Sequence, residues 1–204
     1  MIAALFVQPN GVYADMPGVE VWDESRDARL YPGPHAVVAH PPCERWGRYW
    51  SGGPSAKVKR KLGDDGGCFE SALESVRKWG GVLEHPEASH AWRAFDLIAP
   101  PKSGGWFPAG DFMGYTCCVE QGHYGHRARK ATWLYAVGCD LPYLIWGKAE
   151  GKIRLESGYH SIVERAMSRT LGGSAMGRIK KSERSATPIA FRDILLAMAR
   201  SVRR

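Results

Sequence analysis

The chain has 204 residues, of which 44% are hydrophobic and 24% charged, and this composition favours one soluble domain with its own core. No apolar run approaches the roughly 20 residues that span a bilayer, and the N-terminus lacks the charge of a signal peptide, so we predict a cytoplasmic protein. Five cysteines without a framework spacing agree with a reducing compartment, and a net charge of +7 favours a polyanionic partner.

The predicted elements alternate between strands and helices. Short apolar runs predict strands at 2–7, 19–22, 35–40, 81–84 and 131–137, the fourth of which ends at Glu84. A helical turn is expected at 25–31, and an apolar stripe at helical spacing predicts a helix over 68–79. Thr187 and Pro188 predict the N-cap and the first position of a C-terminal helix.

This alternation predicts an α/β fold with a mainly parallel sheet and helices on both faces. In such sheets, ligands and chemistry lie at the carboxyl ends of the strands. Cys43 and Glu84 both lie where a predicted strand ends. We therefore expect their side chains at the same edge of the sheet.

Cys43 directly follows Pro41 and Pro42, whose rings fix the backbone beyond the third predicted strand. A free cysteine is most often a small buried hydrophobe, and it can also be a metal ligand or a nucleophile. The polar sequence that follows argues against simple burial. Positive charge from Arg45 and Arg48 is expected to lower the pKa of the thiol, which favours the nucleophilic thiolate.

Three motifs, in order, resemble those of the DNA cytosine-5 methyltransferases. The segment PPC at 41–43 is similar to the family's nucleophile motif, VLEHP at 82–86 to its second catalytic motif, and HRARKATWLY at 126–135 to the segment with catalytic arginines. The spacing and the C-terminal sequence are similar to the short phage-borne members, and the resemblance covers about residues 2–202. It implies a Rossmann-like methyltransferase sheet and a bacterial or phage-infected host cell.

The resemblance also implies a mechanism. Cys43 would add to C6 of cytosine, and Glu84 would bond N3, a role that requires a raised pKa. Arg127 or Arg129 would bond O2, and we favour Arg129. The base must leave the DNA duplex to reach such a site. From the residues alone, Glu84 could instead cap a helix within 86–92, and both arginines could be surface charge.

The family's methyl donor, S-adenosylmethionine, lies on a Phe-x-Gly-x-Gly turn after the first strand, and here only Phe6 and Gly11 agree with that pattern. Asp23 and Glu24 are the candidates for the acid that holds the ribose, and Pro41 is expected to line the same cofactor site. A turn without its glycines lets the backbone approach a cofactor less closely. Loss of the cofactor, or a different donor for another C5 modification, stays open.

Basic side chains after the nucleophile are expected to bind DNA phosphates. They are Arg45, Arg48, Lys57, Lys59, Arg60 and Lys61. We predict one catalytic domain over 1–204 without a separate target-recognition domain, because only 95–115 and 147–184 resemble insertions. Short or loose sequence recognition, or a nucleotide substrate, stays open.

The sequence CCVEQGHYGH holds four possible zinc ligands, Cys117, Cys118, His123 and His126. Adjacent cysteines point apart on a strand and no second ligand pair accompanies them, so we predict no metal. Residues 121–129 are expected to form an active-site loop instead. Four aromatic side chains are candidates for stacking on a base or for ordinary packing: Trp46, Tyr49, Trp50 and Trp106.

Together these patterns predict an enzyme that modifies C5 of a pyrimidine in DNA through Cys43. Methyl transfer to cytosine is the first hypothesis. A different donor and an inactive DNA-binding relative are the alternatives, and the presence of both Cys43 and Glu84 argues against a protein that only binds.

Overall fold

The computed structural model describes residues 1–51, 58, 60–150 and 181–203. The described residues form one seven-stranded sheet in the order β2-β1-β3-β4-β7-β6-β5. The strands are β1 (Ile2–Leu5), β2 (Val19–Trp22), β3 (Ala36–Ala39), β4 (Gly81–Pro86), β5 (Phe107–Pro108), β6 (Tyr115–Glu120) and β7 (Ala131–Val137).

The four strands at one end of the sheet, β2-β1-β3-β4, are parallel. At the other end β7 pairs antiparallel with both β4 and β6, and β6 pairs antiparallel with β5. The predicted α/β class is confirmed, but a mainly parallel sheet describes only the first four strands. Only residues 121–130 separate β6 from β7, and a parallel connection needs a crossover of about a dozen residues or more, so these two strands form a hairpin.

Among the residues that the structure describes, four helices and two short 3-10 helices accompany the sheet. They are α1 (Cys68–Trp79), α2 (His90–Ala94), α3 (Lys181–Ser185) and α4 (Ile189–Arg200), with 3-10 turns at Ala28–Leu30 and Gln121–Tyr124. The predicted helix over 68–79 is confirmed at both ends. None of the described helices is long and apolar enough to cross a membrane.

The predicted cap of the C-terminal helix is one residue too early. Pro188 occupies the N-cap position with an extended backbone, and no side chain caps α4. The sequence also did not predict α2, β5 or β6, of which β5 lies within the insert-like stretch 95–115. The cap of α2 is Ser89, whose hydroxyl accepts a hydrogen bond from the Ala91 N–H, so Glu84 does not cap this helix.

Helices cover both faces of the sheet, as predicted. Alternate residues of a strand point to opposite faces, and along β1 Leu5 packs on the side of α1 whereas Ile2 packs on the side of α4. Phe69 of α1 and Phe191 of α4 are both fully buried against the sheet. Both faces of β1 and β3 are therefore buried, which agrees with their continuous apolar sequences, whereas β2 at the edge is half-buried.

Candidate active site

Cys43 and Glu84 lie at the carboxyl edge of the parallel strands. Ala39 pairs with Leu83 across β3 and β4, so His40 and Glu84 follow side by side, and Cys43 comes after the two prolines. The Cys43 carbonyl accepts hydrogen bonds from the backbone N–H groups of the two residues at 46 and 47, which fixes a turn at the nucleophile. Cys43 is exposed at this turn.

Glu84 is buried, and both of its carboxylate oxygens have a side-chain partner. The His40 Nδ1 lies 3.0 Å from Oε2, and the Gln121 Nε2 donates to Oε1 at 3.0 Å. The same Gln121 nitrogen donates to the Thr132 hydroxyl at 2.9 Å. Glu84 is therefore fixed from β3 on one side and from the β6–β7 connection on the other.

The surroundings of Glu84 favour its ionised form. Burial alone would raise the pKa of this carboxyl, but the positive charge of Lys130 and the hydrogen bond from His40 outweigh it and lower the pKa to about 2. The expectation of a raised pKa is therefore wrong for the free protein. Lys130 and His40, which lower the pKa of Glu84, are both distant from it in the sequence.

His40 connects Glu84 to a buried tyrosine. The Tyr13 hydroxyl lies 2.8 Å from the His40 Nε2, and Tyr13 is only 2% exposed. Burial and the nearby charge of Glu84 raise the pKa of Tyr13, so its hydroxyl keeps its proton. With a neutral imidazole, Tyr13 donates to Nε2 and the Nδ1–H donates to Glu84. This arrangement satisfies all three side chains while the carboxylate acts as an acceptor.

The thiol of Cys43 has a raised pKa, in contrast to the prediction. Protein atoms around the sulfur desolvate the thiolate, and the negative charge of Glu84 adds to this effect, whereas Lys130 acts in the opposite direction. The two arginines do not supply the predicted positive charge: Arg48 pairs with a carboxylate oxygen of residue 87 at 3.1 Å, and Arg45 is half-buried.

Lys130 is the cation whose charge acts on both Cys43 and Glu84. It is half-buried, and its ammonium group donates to the carbonyl of Ala186 at 2.8 Å. Burial lowers the pKa of Lys130, while the charges of Glu84 and Cys43 oppose that shift. The sequence placed this residue only within the motif at 126–135 and gave it no role.

The two predicted arginines lie at the surface. Arg127 is exposed and pairs with Glu183 of α3 at 2.8 Å. Arg129 is also exposed, and its carbonyl accepts a hydrogen bond from the Gly122 N–H at 2.9 Å. Neither guanidinium contacts Glu84 within the described part of the chain, so in the free protein Lys130 supplies the local positive charge.

The turn after β1 does not form the glycine-lined cradle that the resemblance implies for S-adenosylmethionine. Phe6 has a φ of 58°, the left-handed conformation that glycine adopts most easily. A Cβ at Gly11 would lie 3.1 Å from the Gln8 carbonyl oxygen, so this glycine serves the close packing of its own turn.

The acid candidates after β2 are likewise used by local structure. The Asp23 Oδ1 accepts from the Ser25 hydroxyl at 2.7 Å and from the Arg26 N–H at 3.1 Å, which lowers the pKa of Asp23. Glu24 is exposed, and Pro41 is buried beneath the nucleophile turn. These residues therefore do not form the donor site that the resemblance implies.

The predicted phosphate-binding segment is only partly described. Arg60 and Lys61 are exposed, whereas Lys57 and Lys59 lie outside the described residues. Most of the insert-like stretch 147–184 lies outside them as well.

The four aromatic candidates differ in their burial. Trp46 belongs to the core, and its indole N–H donates to Asp65 at 2.7 Å, so it is unable to stack on a base. Trp106 donates its indole N–H to the carbonyl of residue 142 at 2.9 Å. Tyr49 is 60% exposed and Trp50 is half-buried.

The possible zinc ligands are dispersed. Cys117 and Cys118 are both buried on opposite faces of β6, one in each core. Both nitrogens of the His126 ring lie close to backbone carbonyls, and His123 lies 3.2 Å from another. Within the described ranges, no group of three or more His, Cys, Asp or Glu side chains could hold a metal ion.

His85, beside Glu84, is expected to make stability depend on pH. It is fully buried, with Nδ1 2.7 Å from the Ser89 hydroxyl, and burial lowers its pKa from 6.5 to about 4. Below pH 6.5, His85 binds a proton in the unfolded chain but stays neutral in the folded protein. The free energy of unfolding therefore falls as the pH falls from 6.5 towards 4. In urea unfolding, His85→Asn should remove about 3 kcal/mol of this pH dependence.

The matched control is His90→Asn, because His90 is exposed at the start of α2. It should leave the slope of unfolding free energy against pH unchanged. An equal slope in wild type and His85→Asn would contradict a neutral, buried His85.

Comparison with known proteins gives no match: no family model, no curated protein and no solved structure matches the chain.

Proposed function

We propose that this protein modifies C5 of a pyrimidine base in DNA through a covalent bond between Cys43 and C6 of the base. The observation that carries the proposal is the arrangement at the carboxyl edge. Cys43, which is exposed, follows β3, and Glu84, which is buried and hydrogen-bonded, lies on the neighbouring strand β4. The charge of Lys130 acts on both side chains. The specific reaction that we propose is cytosine-5 methyl transfer from S-adenosylmethionine by a Rossmann-like domain.

The chemistry requires a nucleophile and a group that holds the base. The thiol of Cys43 releases its proton to solvent, and the sulfur bonds C6 while the electron pair of the C5–C6 double bond moves to C5. C5 then bonds the electrophilic group of a donor, and the rest of the donor leaves with the electron pair of the broken bond. Loss of the C5 proton to solvent re-forms the C5–C6 double bond, and the S–C6 bond breaks to release the Cys43 thiolate. The positive charge of Lys130 opposes the rise in the pKa of the Cys43 thiol, and Glu84 is proposed to hold the base through N3.

Double-stranded DNA with the target base flipped out is the proposed substrate. The net charge of +7 favours binding to phosphates, and Arg60 and Lys61 are exposed in the segment after the nucleophile. Lys57, Lys59, Arg45 and Arg48 are proposed to contribute to the same surface. We propose that Arg129, which is exposed, bonds O2 only once the base has entered.

A second candidate keeps the Cys43 adduct and uses a different donor. The observation in its favour is the turn after β1, in which Phe6 takes a left-handed backbone and Gly11 packs on its own turn. Titration of the protein with S-adenosylmethionine distinguishes the two candidates. Saturable binding supports methyl transfer, whereas no binding by folded protein favours the other donor.

The adduct itself is testable without any donor. Addition of sulfur to C6 makes C5 basic, so C5 takes a proton from water and then releases its original hydrogen when the S–C6 bond breaks. We expect the protein to exchange deuterium from C5 of deuterated cytosine in long mixed-sequence DNA, measured by mass spectrometry of the nucleosides. Retention of all deuterium by folded, DNA-bound protein would contradict the proposed function.

Expression in cells identifies the transferred group. DNA from the expressing cells is digested to nucleosides, and a new cytosine species shows the added group by its mass. A gain of one methyl group would support the proposed transfer. Deuterium exchange in vitro together with unmodified cellular DNA would support a donor that the host lacks.

A further inference from the structure

We propose that His40 determines which pyrimidine Glu84 can bind, by supplying the proton that a cytosine needs. The inference rests on the proposed function, because it concerns the same base-binding carboxylate. The structural basis is the continuous hydrogen-bonded series Tyr13–His40–Glu84, with distances of 2.8 Å and 3.0 Å between successive polar atoms. This series was not visible in the sequence motifs.

The hydrogen-bonding edges of the two bases set opposite requirements. Cytosine has an acceptor at N3, whereas uracil has an N3–H donor. An ionised carboxylate has acceptors only. Glu84 receives one hydrogen bond on each oxygen and is ionised in the free protein, so without an added proton it suits N3–H and leaves N3 of cytosine unpaired. A buried polar atom without its partner weakens binding strongly.

His40 can provide the missing proton. In the protonated imidazole the Nδ1–H faces the Glu84 Oε2 at 3.0 Å. When N3 of cytosine binds, the Nδ1 proton passes to Oε2, the O–H of Glu84 donates to N3, and the imidazole becomes neutral. No bond to carbon changes in this step, and the charge of the imidazolium is transferred to the carboxyl–base pair.

Tyr13 suits both states of His40. A hydroxyl can donate to the neutral Nε2 or accept from the protonated Nε2–H, so the 2.8 Å contact persists in either case. The other charged or titratable groups that act on this series are Lys130, His85 and Cys43 near Glu84, and Arg192 and Asp193 near Tyr13. Among the described side chains, the ring nitrogen that contacts the carboxylate belongs to His40.

The test compares two bases in one position. Two pools of short duplexes have random flanking sequence and differ only in the central base opposite guanine, which is C5-deuterated cytosine in one pool and C5-deuterated uracil in the other. Wild type should exchange deuterium from both. His40→Gln keeps an N–H donor for Glu84 but has no proton to give, so cytosine exchange should fall by on the order of 10²-fold while uracil exchange changes by less than about threefold.

The pH dependence separates proton supply from simple support of the structure. Formation of the thiolate affects both bases equally and cancels in the ratio of cytosine to uracil exchange. In wild type this ratio should fall as the pH rises, because the proposed transfer to Glu84 consumes a proton. In His40→Gln the ratio should be independent of pH. The control His90→Gln, at an exposed histidine on α2, should behave as wild type.

Several outcomes overturn the inference. An equal loss for both bases in His40→Gln means that His40 only supports the site, and a pH-independent ratio in wild type excludes proton supply. If His40→Gln fails to fold, His40→Asn decides, because it also lacks a ring that can carry the proton: an unchanged ratio and pH profile in this variant contradicts the proposal. Exchange of neither base by wild type contradicts the proposed function itself, and the inference with it.

Discussion

Replacing Cys43 with serine is expected to abolish C5 exchange and leave the fold unchanged. A hydroxyl is far less acidic and less nucleophilic than a thiol, so addition to C6 should slow by on the order of 10³-fold or more. Cys43 is exposed, and the turn around it is held by its backbone carbonyl, which serine retains. The free energy of unfolding should therefore change by less than about 0.5 kcal/mol.

The measurement is loss of deuterium from C5-deuterated cytosine DNA, beside urea unfolding and DNA binding of the same preparation. Cys68→Ser is the matched control, because Cys68 is a half-buried free thiol at the start of α1 and belongs to no motif. The control should exchange deuterium as wild type does. Equal exchange by Cys43→Ser and wild type would contradict a covalent mechanism, whatever the DNA affinity.

The local pattern of apolar residues in the sequence predicted most of the helices and strands that position this site. The stripe of apolar residues over 68–79 predicted α1 at both ends, and short segments rich in apolar residues predicted β2 and β7. The placement of Cys43 and Glu84 at one edge followed from strand order alone, because neighbouring parallel strands end on the same side. These are inferences from contacts close in the sequence or from a general rule of sheet geometry.

The chemistry around Glu84 depends on contacts that local pattern does not contain. His40 is 44 residues from Glu84 in sequence, and Gln121 is 37 residues away. The hydrogen bond from His40, with the charge of Lys130, reverses the expected direction of the Glu84 pKa. The same limit applies to β6, because its pairing with β7 makes it a strand, and the sequence TCCVE alone shows no clear alternation.

Gly81→Ala is expected to unfold the protein, because the new methyl group would overlap the backbone of the neighbouring strand β3. This pair of strands also aligns His40 with Glu84. Gly81 begins β4 opposite Val37 of β3, with a φ of 121°. A Cβ at this position would lie 1.9 Å from the Val37 carbonyl oxygen, and backbone on both strands would have to move. We expect a loss of more than about 4 kcal/mol, a large part of the stability of a domain of this size.

Gly18→Ala separates the steric cost from the cost of backbone conformation alone. Gly18 has a φ of 74°, but a Cβ there would meet nothing within 4 Å, so only the left-handed backbone is penalised, by about 1 kcal/mol. Urea unfolding followed by circular dichroism measures both variants. If Gly81→Ala proved as stable as Gly18→Ala, β3 and β4 could separate without unfolding the sheet. The contact between His40 and Glu84 would then not be fixed by the parallel strands, and the specificity assigned to His40 would lose its structural basis.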